Sequence, residues 1–455
     1  MSETDTIVAL STPAGRGAIG LVRLSGSRSI EIARRLVGDA EFCPEPGRVT
    51  VRHLRHPESG EILDQAVVTY FRSPKSFTGE DQVEFSCHGS PVVLDLLLAA
   101  IVKLDARLAE PGEFTLRALG NGRLNLSQAE AIRDLIDAQT SSAVRQASRQ
   151  LRGEVSQRLQ PFKEILLEII VPLESSIEFV EDDLPATATE VILAKLSQLE
   201  LDIEQLAETF AAGRLLKEGL RVALVGAPNV GKSSLFNRLL TYDRAIVTNI
   251  PGTTRDSLSE AVNIDGIPVW FTDTAGLRSG GDLVERIGIE RTRSAAADAD
   301  LIVLVFDGSC EASEDELRLL KETEEYSRVI ALNKRDLKSF DKNAIHLLTK
   351  APGAISISAK TGEGLDLLKA AILTPFATRG SAEDGLLITN ARHQDLLRRS
   401  QRALQSSTEL LRQRASEELV LVGLYDALRL LGEITGETTP DDVLAQIFST
   451  FCIGK

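Results

Sequence analysis

The sequence predicts a multidomain fold that mixes α+β and α/β architecture: an N-terminal α+β domain, an α-helical bundle, and an α/β domain inserted into that bundle. Three observations point there. Strand and helix patterns mix up to about residue 121; helical patterns dominate 122–219 and return over 378–455; and 220–377 alternates strands and helices at βαβ spacing, which implies a mostly parallel sheet with helices on both faces. The 455 residues suit roughly three domains of ~150 residues each. Two helical blocks around one α/β stretch are most simply packed as a single bundle, because domain termini often lie close together and tolerate insertion.

Within 1–121, Ile19–Leu24, Ala66–Phe71 and Val83–Ser86 read as strands, and Ser29–Val37 and Val92–Leu104 as helices. Turns fall at Pro13-Ala14-Gly15-Arg16-Gly17, Thr78-Gly79-Glu80 and Pro111-Gly112-Glu113. After Asn121 the pattern becomes helical. Ser127 with Glu130 three positions on predicts a capping box, and the acidic stretch Glu178–Pro185 predicts a turn at its proline. Charged residues make up 26% and apolar residues 43% of the chain, an ordinary folded composition. No apolar run approaches the ~20 residues of a membrane span; Ile165–Leu173 comes nearest and Glu168 interrupts it. The polar start Ser2–Thr6 lacks the basic region of an export signal, so a cytoplasmic protein is expected. Cys43, Cys87, Cys310 and Cys452 show no paired metal spacing and suit a reducing compartment. A net charge of −15 argues against broad, sequence-independent nucleic-acid binding. Arg145, Arg149 and Arg152, and likewise Arg392, Arg398, Arg399 and Arg402, fall at helical spacing and read most simply as solvated helix faces.

The chemistry concentrates in 220–377. The apolar strand Arg221–Val225 breaks at Gly226, and Ala227-Pro228-Asn229-Val230-Gly231-Lys232-Ser233-Ser234 leads into an amphipathic helix. This is a phosphate-binding loop. Gly226 and Gly231 let backbone N–H groups wrap a polyphosphate, the helix adds its positive end, Lys232 reaches the β and γ phosphates, and the Ser233 hydroxyl is placed to ligate Mg²⁺. Downstream, two strands over Ile264–Thr272 turn at Asp265-Gly266 and deliver Asp273-Thr274-Ala275-Gly276, an aspartate for the Mg²⁺ shell and an N–H for a γ phosphate. Leu301–Phe306 reads as a strand ahead of Asp307. Val329–Leu332 delivers Asn333-Lys334-Arg335-Asp336, whose aspartate suits the two N–H donors on guanine's edge, and Ile355–Ile357 leads to Ser358-Ala359-Lys360, placed at the guanine carbonyl. Four such fragments in order, each at a strand end, predict a Ras-like P-loop GTPase domain. Thr248 to Asp256 reads as a switch segment, with Thr254 completing the Mg²⁺ coordination. Leu277 stands where Ras-like GTPases place a water-orienting glutamine, which moves that role to another side chain. Glu285 is the choice, and Arg278 and Arg286 are candidates for a charge-neutralising arginine.

The whole chain resembles the bacterial MnmE (TrmE) family of tRNA modification GTPases. The likeness runs from Asp5-Thr6-Ile7-Val8-Ala9 and Pro13-Ala14-Gly15-Arg16-Gly17, through Gly112-Glu113-Phe114-Thr115 and Leu126-Ser127-Gln128-Ala129-Glu130-Ala131-Ile132, to Phe451-Cys452-Ile453-Gly454-Lys455. It implies a tetrahydrofolate-binding-like and dimerisation domain over 1–121, a helical domain in two parts over 122–219 and 378–455, and a GTPase domain over 220–377. It implies a K⁺-activated GTPase that works as a homodimer with an FAD-dependent partner, MnmG or GidA, in a heterotetramer or larger complex. That complex modifies the wobble uridine of certain tRNAs at carbon five, giving aminomethyl or carboxymethylaminomethyl groups, with a one-carbon unit from 5-formyl- or 5,10-methylene-tetrahydrofolate. Carried onto this chain, the resemblance assigns K⁺ to Asn229, with oxygens of Thr248, Ile250 and Thr253, and makes Glu285 the water-orienting residue. It assigns the folate to Arg23, Glu80, Arg123 and Lys455; Arg123 stands where some members have lysine. The competing reading is a switch or ribosome-assembly GTPase whose flanking domains only bind.

Overall fold

The computed structural model describes residues 5–178, 186–243, 259–273, 299–341, 353–376, 385–437, 439 and 441–454. By contacts they group into two units. The first draws on Met1–Arg133, Gln150–Gln160 and Leu431–Lys455, and the second on Asp134–Arg149 and Pro161–Leu430.

The first unit is built on strands β1 (Thr6–Leu10), β2 (Ile19–Ser25), β3 (Val49–Arg55), β4 (Ile62–Phe71), β5 (Gln82–His88) and β6 (Ala106–Leu108), with helices α1 (Ser29–Val37), α2 (Pro91–Val102) and α3 (Glu113–Gly120). The sheet order is β3-β4-β5-β2-β1-β6, antiparallel except for the parallel β1–β6 pair. One set of alternating strand residues, Val22, Leu24, Val68, Val83 and Phe85 among them, meets Ile32 and Leu36 of α1 and Leu97 and Ile101 of α2, as the period-two pattern of a one-sided sheet requires. The α+β expectation holds here, and the expected strands each extend by one to four residues. Edge strand β3 carries Arg52, His53 and Arg55 and so lacks an apolar signature, while β6 is three residues long. The end of the chain returns to this unit. Phe448 and Phe451 pack with Leu126 and Ala129, and Gly112, at φ 69°, leaves no room for a Cβ, which would stand 2.9 Å from the Phe448 carbonyl oxygen.

The helix beyond Asn121, α4 (Leu126–Asp137), corrects the expected cap. Ser127 lies inside the helix. Asn125 caps it instead: its Oδ1 accepts from the Gln128 amide at 2.9 Å and from Ser127 Oγ at 2.8 Å, and Gln128 Oε1 accepts from the Asn125 amide at 3.0 Å. The box is reciprocal but shifted two residues toward the N-terminus, because an amide side chain caps as well as a hydroxyl.

The remaining helices before the second sheet are α5 (Ser141–Leu151), α6 (Glu154–Glu178), α7 (Ala186–Glu208) and α8 (Phe210–Glu218). Apart from Glu178 at the end of α6, the acidic break lies outside the described residues. The second sheet has β7 (Leu220–Val225), β8 (Ser259–Ile264), β9 (Ile267–Asp273), β10 (Leu301–Asp307), β11 (Arg328–Asn333) and β12 (Ile355–Ser356), in the order β12-β11-β10-β7-β9-β8, with only β8 antiparallel. Helices α9 (Lys232–Asp243), α10 (Glu314–Glu322) and α11 (Leu365–Leu373) accompany it. Val222, Leu224, Val303 and Val305 fill one core, while Ala223, Val225, Ile302 and Leu304 fill another. Strands apolar on both faces are the mark of a buried, mostly parallel sheet. The β8–β9 turn is Asp265-Gly266 as expected, with φ 49° and 86°, the left-handed pair of a two-residue hairpin. Of the last helices, α12 (Ala391–Arg412), α13 (Glu417–Thr435) and α14 (Asp441–Ser449), α12 packs along α7, where Thr408 Oγ1 donates to Glu200 Oε1 at 2.5 Å and Arg398 pairs with Glu204 at 3.6 Å. Among the described residues no helix is long and apolar enough to cross a membrane.

Replacing Asn125 by alanine is expected to destabilise the protein by about 1 kcal/mol, the usual worth of an N-cap, while Asn125→Asp retains most of that stability. Thermal unfolding of the two variants checks this; an unchanged midpoint in Asn125→Ala removes the cap from the account.

Candidate functional site

The turn from β7 to α9 is shaped by what its glycines exclude. A Cβ on Gly226 would stand 2.2 Å from the Val305 carbonyl oxygen, and one on Gly231, at φ +100°, 2.2 Å from Asn333 Nδ2, so neither position admits a side chain. Asn229 takes a left-handed φ of 64°, which asparagine tolerates better than most residues. Val230, 3% exposed, anchors the loop in the core. Lys232 opens α9, and its Nζ donates to the Gly226 and Ala227 carbonyls at 2.8 Å each, so the ammonium curls over the loop. Ser233 and Ser234 stand exposed in the first turn of α9, where helix amides and dipole favour an anion.

The ends of β11 and β12 converge on the same loop. Asn333, 3% exposed, donates from Nδ2 to the Val230 carbonyl at 2.8 Å and accepts at Oδ1 from the Ala359 amide at 2.9 Å. Lys334 pairs with Asp307 at 2.5 Å. Burial opposes ionisation of Asp307, yet hydrogen bonds from Lys334 and Ser309 hold its carboxyl below the usual range. Asp336 is exposed and accepts from Ser358 Oγ at 2.7 Å, a bond that keeps its carboxyl ionised below the ordinary aspartate range. Ser358 is buried, Lys360 is exposed, and Arg238 Nε steadies the segment by donating to the Ala359 carbonyl at 3.1 Å. Asp273 closes β9 opposite Leu224 of β7, which sets it at the strand ends where the phosphate loop begins. Thr248, Ile250, Thr253, Thr254, Thr274, Ala275, Gly276, Arg278, Glu285 and Arg286 lie outside the described residues.

A second constellation sits in the first unit. Arg23 pairs with Glu84 at 2.9 Å, with its guanidinium carbon 5.5 Å from the Phe77 ring centroid and 5.9 Å from that of Phe114. Glu80 accepts from Ser25 Oγ at 2.8 Å, and Ser25 lies two residues along β2 from Arg23, on the same face. Arg123 reaches the neighbouring Gly79, where an added Cβ would meet its Cγ at 3.2 Å. Gly454 packs against the end of β1 at Leu10, its carbonyl accepting from Ser11 Oγ at 3.0 Å; Lys455 lies outside the described residues.

Known proteins match the chain along its full length. The family model described as "GTP-binding protein TrmE N-terminus" matches residues 6–123, and "MnmE helical domain" matches residues 126–452. The chain is 45% identical over 460 residues to the tRNA modification GTPase MnmE of Koribacter versatilis, covering 100% of both. It is 42% identical to that of Enterococcus faecalis, covering 100% of this chain and 99% of the other, and 41% identical to that of Aquifex aeolicus, covering 99% and 100%. This chain belongs to the MnmE family of tRNA modification GTPases. It is a GTP-hydrolysing enzyme acting in tRNA modification, and it uses GTP with Mg²⁺.

The exposed Ser233 hydroxyl in the first turn of α9 is an oxygen donor of the kind that suits Mg²⁺. Sequence reasoning for this MnmE family member passed over Asp307 as a partner of Lys334, over Arg107 as a partner of Asp5 and Glu113, and over Ser25 and Arg117 around Glu80. Only the spacing of Glu113 and Arg117, four apart on a short helix, could have flagged the last of these.

Because the carboxylate of Asp336 is to read guanine through two donors, Asp336→Asn is expected to weaken GTP by at least 10-fold and to improve xanthosine triphosphate, whose ring offers a carbonyl in place of the amine. Calorimetric titration of both nucleotides checks this, and unchanged GTP affinity removes Asp336 from the site.

Proposed function

We propose that the chain is a K⁺-activated GTPase that, as a homodimer and together with an FAD-dependent partner of the MnmG (GidA) type, modifies the wobble uridine of certain tRNAs at carbon five with a tetrahydrofolate-borne carbon. The observation that carries this reading is the presence, on one chain, of a phosphate loop and of the Arg23, Glu80 and Arg123 cluster. A GTPase that only switches or assembles has no use for the latter. The domains in this reading are 1–121 for folate and dimerisation, 220–377 for GTP, and 122–219 with 378–455 as the helical connection.

Nucleotide contacts fall to Asn229, Val230, Gly231, Lys232, Ser233 and Ser234 at the phosphates, with Thr248, Thr254, Asp273, Thr274, Ala275 and Gly276 responding to the γ phosphate. Asn333, Lys334, Asp336, Ser358, Ala359 and Lys360 serve the base. Ser233 and Thr254 would hold Mg²⁺, which supplies charge neutralisation at the β and γ phosphates. Asn229 would hold K⁺ with Thr248, Ile250 and Thr253, adding positive charge where Arg278 and Arg286 were the other candidates. Glu285 orients the attacking water in the place that Leu277 cannot fill. At the N-terminal site Glu80 takes the amino-pyrimidine edge of the folate, while Arg23, Arg123 and Lys455 suit its anionic tail.

Single-turnover hydrolysis at saturating GTP tests the GTPase part. The rate should fall steeply when Na⁺ replaces K⁺, Asn229→Ala should make it insensitive to that exchange, and Glu285→Ala should lower it by roughly 10²–10⁴ with GTP affinity nearly unchanged. Equal rates in the two salts for the unaltered protein, or a near-normal rate in Glu285→Ala, would discard the corresponding role.

The modification itself is tested on tRNA nucleosides. Deleting the gene should remove the carbon-five groups from wobble uridine, and a copy carrying Glu80→Gln should fail to restore them although its GTPase activity persists. Normal nucleosides in the deletion strain would refute the proposed reaction.

A further inference from the structure

Glu80 is one end of a hydrogen-bonded chain of charges. Arg117 Nη1 lies 3.2 Å from both of its carboxylate oxygens, and Ser25 Oγ donates to Oε2 at 2.8 Å. Ser25 is buried and shares a 2.7 Å hydrogen bond with Thr78 Oγ1. Behind Glu80, Arg117 is fixed on three sides: Nη1 donates to the Asp5 carbonyl at 3.0 Å, and Nη2 to Asp5 Oδ1 at 2.7 Å and to Glu113 Oε1 at 2.9 Å. Glu113, 1% exposed, also accepts from Arg107 Nη1 and Nη2 at 2.8 and 2.5 Å and from the Glu110 amide at 2.9 Å. Burial opposes its charge, but these bonds hold the carboxyl below the usual glutamate range.

Two guanidiniums thus face three carboxylates, which leaves one formal negative charge. Glu113 is sealed in, and Asp5 gives each oxygen to a different arginine, Oδ1 to Arg117 and Oδ2 to Arg107 at 2.5 Å. Glu80 has a single guanidinium shared between its oxygens, and its side chain stays 24% exposed. Asp5 is as open, 29% exposed, but bridges two guanidiniums, so Glu80 is the less neutralised of the two accessible carboxylates. The neighbouring cation Arg23 pairs with Glu84 through its Nε.

We infer that Arg117 is a positioning residue for Glu80, holding its carboxylate in the orientation that receives the paired N–H donors of a 2-amino-4-oxo-pyrimidine ring. The inference rests on the folate reading of this site and adds a residue outside the ligand's own contacts. A guanidinium suits the task because its planar fork serves Glu80, Asp5 and Glu113 together, whereas an ammonium is a single point of charge.

Calorimetry on the full-length protein, with 5-formyltetrahydrofolate and its 2-desamino analogue, tests it. The unaltered protein should prefer the amino-bearing compound by roughly 10- to 100-fold, the worth of a hydrogen bond to a charged group. Arg117→Met should weaken that compound about 10-fold or more and leave the desamino analogue unchanged, so the preference collapses; Arg117→Lys should recover part of it. A merely structural loss would weaken both compounds alike and would overturn the inference. So would an unaltered preference in both Arg117 variants while Glu80→Gln has lost it. An unaltered preference in Glu80→Gln would instead refute the folate reading itself. Should Arg117→Met fail to fold by circular dichroism, Arg117→Lys decides, and its retention of the full preference overturns the inference.

Discussion

Two hydrogen bonds made by one buried amide hold the nucleotide end of this protein together. Asn333 reaches from the end of β11 to the Val230 carbonyl, 103 residues earlier in the chain, and to the Ala359 amide, 26 residues later. The loop after β7, the Asn333–Asp336 segment and the loop after β12 are thereby set against one another. Leaving such buried partners unsatisfied costs about 1–3 kcal/mol each, so the amide constrains geometry as well as stability. It also dictates composition nearby: Gly231 must lack a side chain because Asn333 Nδ2 occupies the space that a Cβ would enter.

The polar groups of the two candidate sites are pre-set in different ways. At the nucleotide site, backbone geometry supplies the order: glycines that admit no Cβ, residues Asn229 and Lys334 at positive φ, and a helix whose first turn faces the loop. In the first unit the order is electrostatic. Buried Glu113 is tolerated only because Arg107 and Arg117 and the Glu110 amide occupy its oxygens, since an unpaired buried charge would cost several kcal/mol, about 3–5 on removing one partner.

Much of the α/β part was legible in the sequence. Strands β7 and β10 carry continuous apolar runs, Val222–Val225 and Leu301–Phe306, and so identify themselves as buried, the Asp265-Gly266 turn has hairpin chemistry, and the loop from Gly226 to Lys232 is marked by its spacing. What escaped were pairings that depend on distant chain segments. Asn333 carried a signal for the base, yet its clamp on Val230 could not be read from its neighbours. Arg117 and Ser25 meet Glu80 only after three elements come together. The cap of α4 was misplaced for a local reason, because Asn125 and Gln128 compete with Ser127 and Glu130 for the same reading and only the helix start, at Leu126, distinguishes them.

The contact between Ser11 and Gly454 has a temporal side. Its partners are 443 residues apart in the chain, and Phe448 and Phe451 complete the apolar cluster around Leu126 and Ala129 from the same distal segment. Domains emerging from the ribosome usually fold in order of synthesis, but this first unit lacks part of its own core until the last helix has been translated. Its sheet can form early, with α1 and α2 on one face, while the surface around Gly112 stays uncovered for the time needed to make everything between. A sheet made before the intervening residues is thus among the last parts to be finished, and its completion reports that those residues have already been made.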